Sequence, residues 1–242
     1  MKTTTTWLIA NWKMQGDAAR VRAFAHGANA CVMHAPASLT TVFCPPFPYL
    51  AIAAQALPQN ARLQLGAQNC HREAKGAHTG EVSAPMLADI GCRYVIVGHS
   101  ERRARGVTDV DVAAKAEAVM ALGLIPVICI GESLAAYEQK KTHEVLADQL
   151  GFLAKLSARN YLVAYEPIWA IGSGKVPQLA EIQAVHQQIK STLGSETAVL
   201  YGGSVNPGNI SEILATPGVS GALIGGASLE IDSMGAMIAA VQ

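Results

Sequence analysis

Eight short apolar runs, most of them separated by alanine-rich segments with helical spacing, constrain this chain more than any other feature. The runs are Trp7–Ala10, Thr40–Cys44, Leu63–Ala67, Tyr94–Val97, Ile125–Ile130, Tyr161–Ala164, Ala198–Tyr201 and Ala222–Ile224. They recur roughly every 25 to 40 residues, and many are apolar almost throughout, as strands covered on both faces must be. Asp109 to Leu122 and Leu179 to Leu193 carry the period of amphipathic helices. Strands alternating with helices pair in parallel, and eight is the number that closes such a sheet on itself. The expected fold is α/β, a (β/α)8 barrel of eight parallel strands surrounded by helices. No linker, low-complexity tract or charge block divides the 242 residues, so one barrel domain over residues 1–242 is expected.

Composition removes several classes of function. Hydrophobic residues make up 50% of the chain, enough for a sizeable core, and 18 basic residues balance 18 acidic ones. Nothing global therefore points to nucleic acid or to a membrane surface. The longest apolar stretch, Ala118 to Ile130, is broken by Gly123 and Pro126 and is too short to span a bilayer. The start, MKTTTTWLIANWK, does not read as a signal peptide. Five cysteines, an odd count without a C-x-x-C pair, suit a reducing compartment, so a cytoplasmic location is expected.

In a closed barrel the strand C-termini converge on one mouth, and residues just past each run become neighbours. Collecting them gives Asn11 and Lys13, Gln68 and Asn69, His99 and Glu101, Cys129 and Glu132, Glu166, the turn Gly202-Gly203-Ser204, and Gly225-Gly226. Asn11 and Lys13 are two residues apart, which on an extended chain puts both side chains on one side. His99 precedes Ser100 and Glu101, which read as the start of a short helix. Backbone N–H groups there can donate to one ring nitrogen, leaving a neutral imidazole whose other N–H is free. Glycine turns on two adjacent final strands suit a phosphate cradle. No dinucleotide or P-loop motif and no His/Cys ligand spacing is present, so neither a cofactor nor a metal is expected.

Glu166 ends the run YLVAY and precedes Pro167, and a glycine-bearing stretch follows as far as Pro177. A lone Glu-Pro is usually an exposed carboxylate before a turn. Its neighbours here suggest a base beneath a lid made of Pro167, Ile168, Trp169, Ala170, Ile171, Gly172, Ser173, Gly174, Lys175, Val176 and Pro177. Prolines stiffen both ends, and the two glycines can bring N–H groups near an anion.

The stretches NWKM, AQN, TGEVSAPML, GHSERR, CIGES, AYEPIWAIGSGK, YGGSV and IGGASL, in this order over almost the whole chain, resemble triosephosphate isomerase. The resemblance implies the TIM barrel fold and cofactor-free interconversion of dihydroxyacetone phosphate and glyceraldehyde 3-phosphate, a step of glycolysis and gluconeogenesis. It implies Glu166 as the base, His99 as the neutral electrophile, Lys13 as positive charge for substrate and enediolate, Asn11 at the oxygen and Glu101 in support. Gly172, Ser204, Gly225 and Gly226 join Asn11 and Lys13 in substrate and phosphate binding, and Cys129 packs near the base. Another phosphate-binding barrel, a sugar-phosphate isomerase or lyase, shares the glycine turns but gives no reason for Glu166, His99 and Lys13 together.

The chain departs from the family pattern in places. Pro177 stands where many relatives offer a backbone N–H to the tyrosine corresponding to Tyr201, and proline has none. The segment ARGVTD is one residue short, with Val107 near the place of a usual glutamate, and Gln15 replaces an asparagine. Cys70 to Glu81 has the length of the family's inter-subunit loop, which implies a homodimer with Thr79 reaching the partner's site. His78 replaces an aromatic often found at the tip of that loop.

Overall fold

The computed structural model of the chain describes residues 5–156 and 160–241. The first four residues of the amino-terminal stretch considered above lie outside them. Strands β1 (Thr6–Asn11), β2 (Leu39–Cys44), β3 (Gln64–Ala67), β4 (Tyr94–Val97), β5 (Ile125–Ile130), β6 (Leu162–Tyr165), β7 (Ala198–Tyr201) and β8 (Gly221–Ile224) form a closed barrel. Every neighbouring pair is parallel, and β1 closes on β8 with Ile9 opposite Leu223.

Helices fill the connections. They are α1 (Ala18–Met33), α2 (Leu50–Ala56), α3 (Ala84–Ile90), α4 (Ser100–Arg103) and α5 (Asp109–Met120). The second half adds α6 (Leu134–Glu138), α7 (Thr142–Leu153), α8 (Leu179–Leu193), α9 (Ile210–Ala215) and α10 (Ile231–Ala239). Local chemistry sets their starts: Asp17 accepts from Ala19 and Arg20 N–H to cap α1, and Thr108 with Asp111 forms a capping box on α5.

Two apolar layers explain why the strand runs are nearly continuous. Ile9, Val42, Ile96, Val127, Leu162, Ala164, Leu200 and Leu223 point into the barrel. Their neighbours Leu8, Ala10, Val95, Val163 and Val199 pack outward against the helices. This alternation also aims the mouth residues. Ala164 faces inward, so Glu166 two residues on does too; the same parity carries Ile9 to Asn11 and Leu200 to Gly202.

Candidate active site

Glu166 is 2% exposed, and its setting is built by close backbone approach. Its N–H donates to Ile130 O at 2.7 Å, and Gly202 N–H donates to Tyr165 O at 2.8 Å. A Cβ on Gly202 would lie 2.8 Å from Glu166 Cγ, so only glycine leaves room for the carboxylate there. Ser100 N–H donates to Glu166 Oε2 at 3.2 Å, and His99 Nε2 lies 3.2 Å from Oε1. Burial raises the carboxyl above the ordinary glutamate range; His99, the Ser100 N–H, the Cys129 thiol and Lys13 offset only part of that rise.

His99 has the opposite strand parity to Glu166, and a backbone turn corrects it. Gly98 adopts φ +73, a region where a side chain is strained, and a Cβ would also meet Val112 at 2.8 Å. Turned in this way, His99 becomes the cap of α4, and its Nδ1 accepts from Glu101 N–H at 3.2 Å. Since Nδ1 accepts, the ring hydrogen is assigned to Nε2, the nitrogen beside Glu166. The free N–H expected from the sequence is therefore directed at the carboxylate.

The extended backbone expected from Asn11 to Lys13 is not what the chain adopts. Lys13 has φ +53, one of two non-glycine residues with positive φ among those described. Its own N–H donates to Asn11 Oδ1 at 3.1 Å, and Gln68 Nε2 donates both to Lys13 O at 2.8 Å and to Cys44 O at 2.9 Å. These bonds hold a sparsely populated conformation, the kind of strain that marks functional positions. Lys13 Nζ reaches Glu101 Oε1 at 2.6 Å. Burial works to raise the Glu101 carboxyl, but the Lys13 hydrogen bond and charge outweigh it and hold the group below its usual range. The ordinary expectation for Glu101, an ion pair within its own helix, is thereby replaced by a link across the mouth.

One cavity of about 200 Å³ is lined by Asn11, Lys13, His99 and Glu166 together with Gly172, Ser204, Gly225 and Gly226. Glu101 lines the adjoining recess with Gln68 and Asn69. Gly225 and Gly226 open a 3-10 turn, Gly226–Ser228, whose Ser228 O accepts from Trp12 Nε1 at 3.0 Å and so ties β8 to β1. The lid begins with Pro167 and a second 3-10 turn, Ile168–Ala170. Ile171 and Leu223 also line the cavity. Gly172 and Gly174 adopt left-handed φ of 64° and 74° with open space around them; Ser173, Lys175 and Val176 are exposed and Pro177 is buried. Ser204 Oγ donates to Ala170 O at 2.6 Å, fastening the lid to the β7 turn.

Sequence reasoning gave Glu132 no role. It is fully buried, and its Oε1 accepts from Trp169 Nε1 at 2.9 Å and from Tyr165 Oη at 3.3 Å, while its backbone O accepts from Ile168 N–H at 3.1 Å. Burial raises its carboxyl above the usual range despite these bonds. Trp169 stacks on Tyr137 at 4.1 Å, so the lid's first half is anchored from three elements. An acid two residues after a strand was the available signal, but its partners come from other strands. Arg103 was likewise unassigned. It donates to Gly98 O and Cys129 O and pairs with Asp109 at 2.6 Å, a carboxylate anchor two residues beyond Val107.

A buried carboxylate beside a ring N–H and an ammonium is equipment for moving a proton on a carbon next to a carbonyl. Set at the mouth of this barrel against two glycine turns, it defines an isomerase of small phosphorylated carbonyl compounds. Residues 6–241 match the family model "Triosephosphate isomerase". Curated proteins of that name from Ruegeria pomeroyi and Rhodopirellula baltica are 46% and 42% identical to the chain, each over 96% of it, covering 95% and 96% of their own lengths. One from Synechocystis is 43% identical, with 96% of both chains covered. The chain belongs to the triosephosphate isomerase family, and its reaction is the interconversion of dihydroxyacetone phosphate and glyceraldehyde 3-phosphate.

Proposed function

We propose that Glu166 is the base that takes a proton from C1 of dihydroxyacetone phosphate and returns it to C2, while the hydroxyl proton on O1 passes to O2 by way of His99 Nε2, giving glyceraldehyde 3-phosphate. The carbonyl oxygen gains negative charge as the proton leaves, and His99 Nε2–H, the Lys13 ammonium and the Asn11 amide stabilise it. Glu101 holds Lys13 until substrate draws the ammonium inward. Gly172, Ser204, Gly225 and Gly226 receive the phosphate dianion, and the lid from Pro167 to Pro177 keeps water from the enediolate, which would otherwise lose phosphate. The observation that carries this reading is the buried Glu166–His99 contact of 3.2 Å, an acceptor of protons and a donor to oxygen facing the same cavity. A coupled assay of glyceraldehyde 3-phosphate conversion, with Glu166→Gln prepared identically, tests it. Rapid turnover lost in the variant is the expected result; equal turnover in both would overturn the role of the base.

The same reading includes one catalytic barrel domain, a place in glycolysis and gluconeogenesis in the cytoplasm, and a homodimer. In support of the dimer, every residue from Arg72 to Glu81 is exposed, Thr79 and His78 among them. Met14, directly after Lys13, is 92% exposed, an apolar side chain beside the mouth that a second copy would cover. Sedimentation at nanomolar concentration is expected to show a dimer, and a fully active monomer would overturn it.

A further inference from the structure

The cavity at the mouth is not the larger one beside the lid. Among the described residues a cleft of about 570 Å³ opens on the outer side of the barrel, between α6, the start of α7 and α8. That is within the range of small-molecule sites, whereas the mouth holds about 200 Å³. Both ends of the lid form part of its wall: Trp169 from the first half and Pro177 from the last position.

The lining has a definite chemistry. Tyr137, Tyr165 and Trp169 supply three aromatic rings, with Tyr137 and Trp169 stacked at 4.1 Å and an interplanar angle of 29°. Glu138 and Glu181 place two carboxylates on the same lining, and Lys140 is its one lysine. The lining's imidazole, His143, already has its Nδ1 on Gln188 Oε1. Tyr137 Oη donates to Glu181 Oε1 at 3.0 Å and links α6 to α8 across the cleft. Tyr165 is buried, and Glu181 already accepts from Tyr137 Oη and Gln178 N–H. The outer face of the Tyr137–Trp169 stack, with the exposed Glu138 carboxylate on the same lining, is therefore what favours a positively charged planar guest, which gains both stacking and cation–π attraction.

We propose that this cleft is a second ligand site, taking a small aromatic cation of the aryl amidinium or aryl ammonium class, and that its occupation restrains the lid. A guest seated between Tyr137 and α8 packs against Trp169 and Pro177 together, so the lid cannot change the spacing of its ends without losing that guest. Turnover then falls while affinity for the triose phosphate changes little, because the guest does not enter the mouth. The restraint of the lid rests on the function proposed above; binding in the cleft does not.

The test titrates the enzyme calorimetrically with benzamidinium, then with benzamide, which has the same ring without the charge. Two variants accompany it: Ala184→Trp, which fills the cleft from an exposed position on α8, and Glu138→Lys, which reverses one carboxylate. Saturable benzamidinium binding is expected, weakened about tenfold or more in each variant and for benzamide. In the isomerase assay benzamidinium should lower kcat of the wild type noncompetitively, and the Ala184→Trp enzyme should be insensitive. Absent binding, or binding unaffected by both variants, overturns the site. Equal affinity for benzamide overturns the cationic class, and competitive inhibition or unchanged kcat at saturation overturns the coupling to the lid. An inactive wild type that binds benzamidinium with the expected variant pattern would refute the proposed function and leave the site standing.

Discussion

Oε1 of Glu166 lies 3.2 Å from Nε2 of His99, and both side chains are buried at the mouth of the barrel. The imidazole is a donor at this nitrogen because its Nδ1 accepts from Glu101 N–H. The pair therefore sets a proton acceptor against a hydrogen-bond donor at hydrogen-bond distance in a buried setting.

His99→Gln tests the donor. Glutamine carries an N–H but not at the position fixed by the start of α4, so kcat should fall by about 10²- to 10³-fold with a smaller change in KM. A loss confined to KM would show that His99 binds substrate without acting on the transition state.

Replacing Ile171 by Ala tests dryness of the base. Burial is the largest influence on Glu166 and raises its carboxyl, so the acid limb of kcat/KM should sit above the ordinary glutamate range, activity falling as the pH drops through that value. Opening the cavity wall at Ile171 should lower kcat and move this limb to lower pH. An unchanged pH profile with chemistry rate-limiting would reject the argument.

Tyr201 offers a test of the departure at Pro177. Its hydroxyl is buried without a hydrogen-bond partner among the described residues, and Pro177 has no N–H to offer it. Tyr201→Phe should cost less than about tenfold in kcat, equivalent to about 1.4 kcal/mol, and should leave thermal stability unchanged or higher. A larger loss would reveal another partner during closure.

His186, which does not line the mouth cavity, predicts a separate acid sensitivity. It is fully buried on α8, and burial lowers its pKa to about 4, against an ordinary value of 6.5. The folded state keeps the ring neutral while the unfolded chain takes up a proton, so stability present above pH 6.5 is lost as the pH falls toward 4. The linked loss is about 3 kcal/mol. Urea midpoints measured across that window should decline in the wild type and decline less in His186→Leu, once the variant's lower stability at neutral pH is subtracted.

Much of this architecture could be read from local pattern. The eight runs named from the sequence overlap all eight strands, with ends shifted by at most one residue, and Leu179–Leu193 coincides with α8. Burial on both faces leaves a strand few polar positions, so its length shows directly in the sequence. Inward parity then aims Asn11, Glu166 and Gly202 without knowledge of any partner. His99 and Lys13 lie beyond that argument, because each is turned by a positive φ, at Gly98 and at Lys13 itself.

By itself, then, the sequence determined the barrel, the order of its strands and the residue types collected at their ends, since these follow from periodicity and burial along one chain. Tertiary structure alone decided which of those residues meet. Glu101 could have paired within its own helix but meets Lys13, Glu132 gathers Tyr165 and Trp169 beneath the lid, and Arg103 reaches the Cys129 carbonyl on β5. Such contacts join groups far apart in sequence whose distances depend on how the sheet closes. Hydrogen bonds and ion pairs act over a few ångströms, so those distances, which no local pattern encodes, select the partner.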